Sequence, residues 1–224
     1  MLSAAVTLLL SVPLRAQMPD SALEIYAVNV VKTPPFEKPF TGYGIYLGQG
    51  LVITAAHVVG HWPFLTRPHV VIAGRDFPTK IIKQGSYGQV DQVDLALLSV
   101  DAAQLPISLQ LRRNPLCQAP PLVGMEVIDV VPGQTTRLHL ISPLLIAAAL
   151  REKFDTLIES PAGSGSGIFD AERKCLLGIV SAKVEKYRYQ PVLRGGMVWQ
   201  PDGFAGYFVS AAKIANFIPP DLHY

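Results

Sequence analysis

The stretch Gly42 to Val59, GYGIYLGQGLVITAAHVV, constrains the fold more than any other part of the chain. Gly42 to Leu47 is an apolar run, Gly48-Gln49-Gly50 is a turn signal, and Leu51 to Thr54 is β-branched. Strand, glycine turn and strand make a β-hairpin. The second strand reads as buried and runs through two small alanines, Ala55 and Ala56, into His57. A side chain that exchanges a proton near neutral pH is thereby placed at the end of a rigid strand, which suits a general base.

Eighteen glycines and nineteen prolines in 224 residues favour many short strands over long helices. Strands are expected at Ser21–Val31, Val70–Ala73 and Thr79–Lys83, and Asp94 opens another that runs to Val100. In the second half they are expected at Glu126–Val131, Arg137–Ile146, Thr156–Glu159, Leu176–Val184 and Gly206–Val209. Glu185 to Gly203 reads as a long loop, and Ser210 to Phe217 as a helix with Ser210 at its N-cap and Pro219-Pro220 beyond its end. Leu105 to Pro121, with its four prolines, reads as a linker. The class is all-β, with two antiparallel barrels of roughly 100 residues each and a short C-terminal helix. The first barrel spans residues 17–108 and the second 109–224.

The apolar run Leu2–Leu14, with a small-residue site before Gln17, reads as a leader over residues 1–16 and predicts export to a periplasmic or extracellular space. No stretch has the ~18 uninterrupted apolar residues of a membrane span. Cys117 and Cys175 are the only cysteines. In an exported chain the pair is expected to form one disulfide, the alternative being two buried thiols. A net charge of +2, with scattered Lys and Arg, gives no footprint for nucleic acid. His61, His69, His139 and His223 have no metal-ligand spacing with Cys or acids, so no metal and no cofactor are expected.

Three further groupings carry chemistry: Thr54-Ala55-Ala56-His57, Asp94-Leu95-Ala96-Leu97-Leu98 and Gly163-Ser164-Gly165-Ser166-Gly167-Ile168-Phe169-Asp170. With the hairpin Gly42–Val59 and the ending Gly206-Tyr207-Phe208-Val209-Ser210-Ala211-Ala212, they make the chain resemble the chymotrypsin-like serine endopeptidases. The likeness is closer to the compact bacterial members, including the HtrA-type protease domain without its PDZ domain. It covers roughly residues 22 to 219. The order His, Asp, Ser is that of this group and not of subtilisins or α/β-hydrolases. The hydrolase elbow G-x-S-x-G also fails, because Ala162 and Ser164 stand two residues before Ser164 and Ser166.

The resemblance implies a double barrel of six-stranded halves acting on polypeptides as a monomer. It implies that His57 is the base, Asp94 orients it and Ser164 is the nucleophile. Ser166 is the rival serine and Asp91 the rival acid; Ser164 aligns without a gap, and only Asp94 directly opens an apolar strand. The backbone N–H groups of Ala162 and Ser164 are the implied oxyanion donors. Ala162 departs from the glycine usual there, and Gly163 from the aspartate that pairs with a newly cut N-terminus in trypsin-type zymogens. By analogy Ile158 and the strand carrying Ser181 line the primary pocket, and an apolar Ile158 predicts preference for uncharged side chains. Ala162 is the feature that favours an alternative, a protease-fold binding or regulatory protein with impaired catalysis.

Overall fold

The computed structural model describes residues 18–34, 38–60, 68–86, 93–191 and 196–222. The leader, His61, Asp91 and His223 lie outside them.

The chain enters through a 3-10 helix, Asp20–Tyr26, where a strand is expected from sequence. Leu23 and Tyr26 are the residues it buries, a spacing of three that matches one 3-10 turn and not an alternating strand. Strand β1 (Ala27–Lys32) follows, then β2 (Phe40–Gly48), β3 (Leu51–Thr54), β4 (His69–Ile72), β5 (Arg75–Pro78), β6 (Lys80–Gln84) and β7 (Ala96–Ser99). They form one antiparallel sheet in the order β5-β4-β1-β2-β3-β7-β6. By hydrogen bonding this sheet has seven strands, where the sequence reading expects six. The two outermost, β5 and β6, are separated only by Thr79, whose hydroxyl donates to the Pro68 carbonyl at 2.5 Å. A single bent stretch therefore pairs with both ends of the sheet and wraps it round. Pro78 at the bend has no N–H to continue the ladder.

The second half holds β8 (Glu126–Val131), β9 (Gln134–Ile141), β10 (Leu157–Glu159), β11 (Gly167–Asp170), β12 (Leu176–Pro191) and β13 (Met197–Ser210). These six close a barrel in the order β10-β13-β12-β11-β8-β9. The terminal helix is Ala211–Phe217; Ser210 occupies its N-cap position, but its side chain makes no capping hydrogen bond. The expected loop over Glu185–Gly203 is instead the outer half of a long β12–β13 hairpin, in which Tyr189 pairs with Trp199. Alternation over Lys186-Tyr187-Arg188-Tyr189 carries that strand signal.

The halves share a contiguous core, in which Leu47, Ile53 and Leu97 of one sheet and Ile128, Phe169 and Ile179 of the other are fully buried. Burying one such side chain contributes about 1.5–3 kcal/mol. The connecting segment is held by specific bonds. Tyr46, fully buried, donates its hydroxyl to the Leu109 carbonyl at 3.1 Å and accepts the Gly50 N–H at 3.2 Å. Cys117 and Cys175, 58 residues apart, form a disulfide that fastens the end of this segment beside the start of β12. There Cys117 N–H also donates to the Leu176 carbonyl at 3.0 Å. Asp20 of the first helix pairs with Arg137 at 2.7 Å and with Lys174 at 2.5 Å, tying the entry of the chain to the second barrel. No described helix is long and apolar enough to cross a membrane.

Candidate active site

Three short segments meet where the sheets face each other. The hairpin delivers His57 into a one-turn helix, Ala56–Val59, directly after β3. Asp94 lies just before β7, and β7 pairs with β3 so that Thr54 stands opposite Ala96. This register brings residues far apart in sequence to the same sheet end. The Asp94 carboxylate accepts the His57 backbone N–H at 3.0 Å and lies 2.8 Å from Nδ1 of the ring. A carboxylate only accepts when ionised, and opposite such a group Nδ1 is the donor nitrogen of the ring. The imidazole is about one-quarter exposed (27%) and Asp94 is buried.

A third bond to Asp94 comes from the other barrel: the Ser181 hydroxyl donates to Oδ2 at 2.6 Å. The β12–β13 register slips between Val180 and Ala182, so Ser181 sits at a bulge, a device that re-aims a side chain. Ser181 was expected in the primary pocket; it is buried and bound to Asp94. Ile158 is corrected more fully. Its side chain is completely buried beside Phe208 and Leu140 within the second barrel, because β10 pairs on both sides there, with β9 and β13. It offers no surface to a substrate, and the specificity expectation loses its support.

The serine segment is wedged against the hairpin. The Tyr43 N–H donates to the Ser164 carbonyl at 3.0 Å, while Gly165 N–H donates to the Val180 carbonyl at 2.8 Å. Gly165 has φ +88°, and a Cβ there would lie 1.8 Å from the Tyr43 carbonyl oxygen and 2.8 Å from Thr54 Oγ1. Only glycine fits this approach. Gly165, the residue after Ser164, is thus packed against Thr54, which stands three residues before His57. Among the described residues the Ser164 hydroxyl makes no hydrogen bond, so bonds join His57 to Asp94 but none joins Ser164 to His57. Ser166, the rival, is fully buried.

One residue of this site went unread in the sequence. Asp129, in the middle of β8, is 2% exposed, and its Oδ2 accepts the Ala162 N–H at 2.5 Å. Ala162 is exposed, yet its N–H points into the barrel. Of the two N–H groups expected to face a developing oxyanion, the one on Ala162 is therefore turned away; that on Ser164 has no protein partner among the described residues. Burial pushes the Asp129 carboxyl above the ordinary carboxylate range, opposed by the Ala162 N–H, the Ser166 hydroxyl and the Val130 N–H. The Ser166 hydroxyl also acts on this charge, although among the described residues neither Ser166 Oγ nor Asp129 Oδ1 meets strict hydrogen-bond geometry. Upstream, Ser160 has φ +30°, a backbone region that costs a side-chain-bearing residue on the order of 1–3 kcal/mol. An acid inside the apolar run Val127-Ile128-Asp129-Val130-Val131 is the available signal.

Cys117, Asp170 and Cys175 cluster within 4.8 Å, but the two sulfurs are bonded to each other, which leaves no thiolate to hold a metal. The Asp170 carboxylate instead accepts the N–H groups of Glu172 and Arg173 at 2.8 and 2.9 Å.

No protein-family model matches the chain, and no curated protein matches it in sequence. Solved structures do. The active form of the Rv3671c protease from M. tuberculosis is 18% identical over 97% of this chain and 92% of its own, with a TM-score of 0.56. Kallikrein-related peptidase 10 in complex with Zn2+ is 14% identical over 90% of this chain and 96% of its own, with a TM-score of 0.58. An inactivated protease paralogue of the scabies mite is 16% identical over 88% and 94%, with a TM-score of 0.56. Such identities report fold and not activity. The chain has the two-barrel fold of the chymotrypsin-like serine proteases.

Proposed function

We propose that the chain is an exported serine endopeptidase that hydrolyses polypeptides through Ser164, His57 and Asp94. The observation that supports this reading is the bonding of His57: both its ring Nδ1 and its backbone N–H are engaged by Asp94, an arrangement in which Nε2 is the nitrogen that would act as base. Ser164 Oγ attacks the scissile carbonyl carbon as its proton passes to Nε2. The tetrahedral oxyanion collapses, the amine leaves with the proton from Nε2, and an acyl-Ser164 ester remains. Water, deprotonated by the same nitrogen, then attacks the ester and frees Ser164. Asp94 stabilises the imidazolium at each transfer. No step requires a cofactor. Export is supported by the N-terminal apolar run and by the Cys117–Cys175 disulfide, a bond favoured in oxidising compartments.

The test is labelling of the purified protein by a fluorophosphonate probe, with hydrolysis of a peptide library alongside. Wild type is expected to label and cleave, Ser164→Ala to do neither, and Ser166→Ala still to label. Labelling that survives Ser164→Ala and is lost in Ser166→Ala would exchange the nucleophile. A second reading, a protease-fold protein that binds without cleaving, is favoured by the Ala162 N–H facing Asp129. Peptide binding without labelling or cleavage would establish it.

A further inference from the structure

We propose that the outer half of the β12–β13 hairpin, together with the segment 143–151, forms a binding site for the free C-terminal end of a polypeptide whose last residue is apolar. This goes beyond the hydrolase reading and does not depend on it.

The two faces of the hairpin carry opposite chemistry. Its register sets Tyr187 opposite Pro201, Tyr189 opposite Trp199 and Pro191 opposite Met197. Opposed residues share a face, and alternate pairs share the same one, so these six lie on one side of the ribbon. That side is aromatic and apolar throughout. The intervening pairs, Arg188 with Gln200 and Gln190 with Val198, form the other side. The Tyr189 and Trp199 rings lie 5.3 Å apart, centre to centre, and both residues are about half exposed. A two-stranded ribbon is marginally stable unless one face is packed.

Part of the apolar face walls a cavity of about 290 Å³. Tyr187 and Trp199 stand on the hairpin side of it. Leu144, Ile146 and Ala147, between the 3-10 turns Pro143–Leu145 and Ala148–Leu150, form the opposing wall. The volume is at the small end of ligand sites, which run from about 300 to 1,000 Å³, and suits one residue better than a long lipid tail.

Arg151 lines the same cavity and supplies its cation. Its Nε and Nη2 donate to the carbonyls of Ile146 and Leu144, both at 3.2 Å, which fixes the guanidinium to the apolar wall. Among the described residues Nη1 makes no hydrogen bond and no acid pairs with Arg151. The hairpin's own cations are committed elsewhere: Lys186 and Arg188 both pair with Asp202, at 3.5 and 3.0 Å. Glu185 accepts the Tyr187 hydroxyl at 2.6 Å. A guanidinium held among apolar groups selects a carboxylate, which its planar fork matches in shape and charge. The occupant must therefore bring an apolar group and a carboxylate into one small volume. In a polypeptide the two meet on a single residue only at the C-terminus. Inside a chain they belong to different residues, and the amides between them would face apolar walls unpaired.

The site lies on the strand that braces the candidate triad. From Ser181, bonded to Asp94, to Tyr187 is six residues of β12, roughly 20 Å of strand. A protein held here by its end is thereby concentrated beside that triad.

The test is fluorescence anisotropy with the whole protein in its Ser164→Ala form, which spares the ligand from hydrolysis. The probe is a labelled hexapeptide ending in Phe, with its C-terminus either free or amidated. Amidation is expected to weaken binding about tenfold or more, and Arg151→Gln to weaken the free acid by the same factor and the amide not at all. Trp199→Ala is expected to weaken both, and Arg188→Gln, on the opposite face, neither. The amidation arm alters only the ligand, so it decides the matter whatever the variants do to stability. Equal binding of acid and amide overturns the proposal, because it leaves only an apolar patch. So does binding of the acid that Arg151→Gln does not weaken, or no binding at millimolar peptide. Decanoic acid bound through Arg151, with the peptide acid unbound, overturns the polypeptide occupant in favour of a fatty acid. The hydrolase reading is decided separately, by labelling of Ser164.

Discussion

Asp94 and Asp129 are both buried carboxylates, one where the two sheets meet and the other inside the second barrel, and they are satisfied in opposite ways. Asp94 accepts from the His57 backbone, the His57 ring and the Ser181 hydroxyl, so donors from both barrels converge on it. Asp129 accepts a short bond from the Ala162 peptide and leaves Oδ1 without a partner. Three donors offset the desolvation of the first carboxylate. The second is more deeply buried and under-supplied, and burial dominates its proton affinity. The comparison separates the two tasks of a hydrolytic site. In the proposed hydrolase the His57 ring is oriented by a carboxylate with three donors, while the Ala162 peptide is bonded to one that leaves an oxygen without a partner.

Breaking the saturated side gives the largest expected effect. Asp94→Asn keeps the shape but presents an amide to His57 Nδ1, which favours the wrong ring tautomer. A loss of about 10⁴ in kcat is expected, by analogy with the same replacement in serine proteases. A variant within tenfold of wild type would show that Asp94 does not orient the base.

The disulfide sharpens the comparison by testing the frame behind the unsaturated side. A bond closing 58 residues is worth about 4 kcal/mol by loop-closure arithmetic. Cys117→Ser with Cys175→Ser should lower the denaturant midpoint accordingly while the His57–Asp94 geometry survives. Unchanged stability would mean that the Leu116–Leu176 bridge and its neighbouring bonds suffice.

Ser181→Ala removes one of three donors from Asp94. A fall of about tenfold in kcat is expected with KM nearly constant, on the scale of one hydrogen bond to a charged group. An equal change in KM would instead restore Ser181 to the substrate pocket.

The smallest effect is a pH dependence of stability. The folded-state proton affinity of Asp129 is raised, so the unfolded chain ionises this group first as pH rises. Its contribution is fully present below about pH 4, the ordinary carboxylate value, and is lost as pH climbs through the raised value. Chemical unfolding of wild type and Asp129→Asn across that window should show a downward slope in wild type that the variant lacks. A parallel pair of curves would show that Asp129 stays ionised on folding.

Much of the site was legible because it lies where local patterns end. The turn at Gly48–Gly50 fixes the hairpin, the hairpin fixes His57, and an acid opening an apolar strand marks Asp94. The misreadings share one cause, a side chain whose environment is supplied by residues distant in sequence. Ser181 was placed by analogy, and a bulge in β12 turned it to Asp94. By analogy Ile158 is a pocket residue, but pairing with β9 and β13 puts it inside the barrel. The 3-10 entry and the long β12–β13 hairpin were missed where tertiary packing overrode weak local preference.

By itself the sequence determined an all-β chain with an ordered His, Asp and Ser, because strand periodicity, turn chemistry and residue type are properties of short segments, and it left the pairing of Cys117 with Cys175 to the structure. Only the tertiary structure decided that Ser181 serves Asp94 and that Ala162 turns its N–H to Asp129. Those outcomes depend on which buried polar groups meet, and a buried carboxylate takes whichever donors the closed barrel brings within reach.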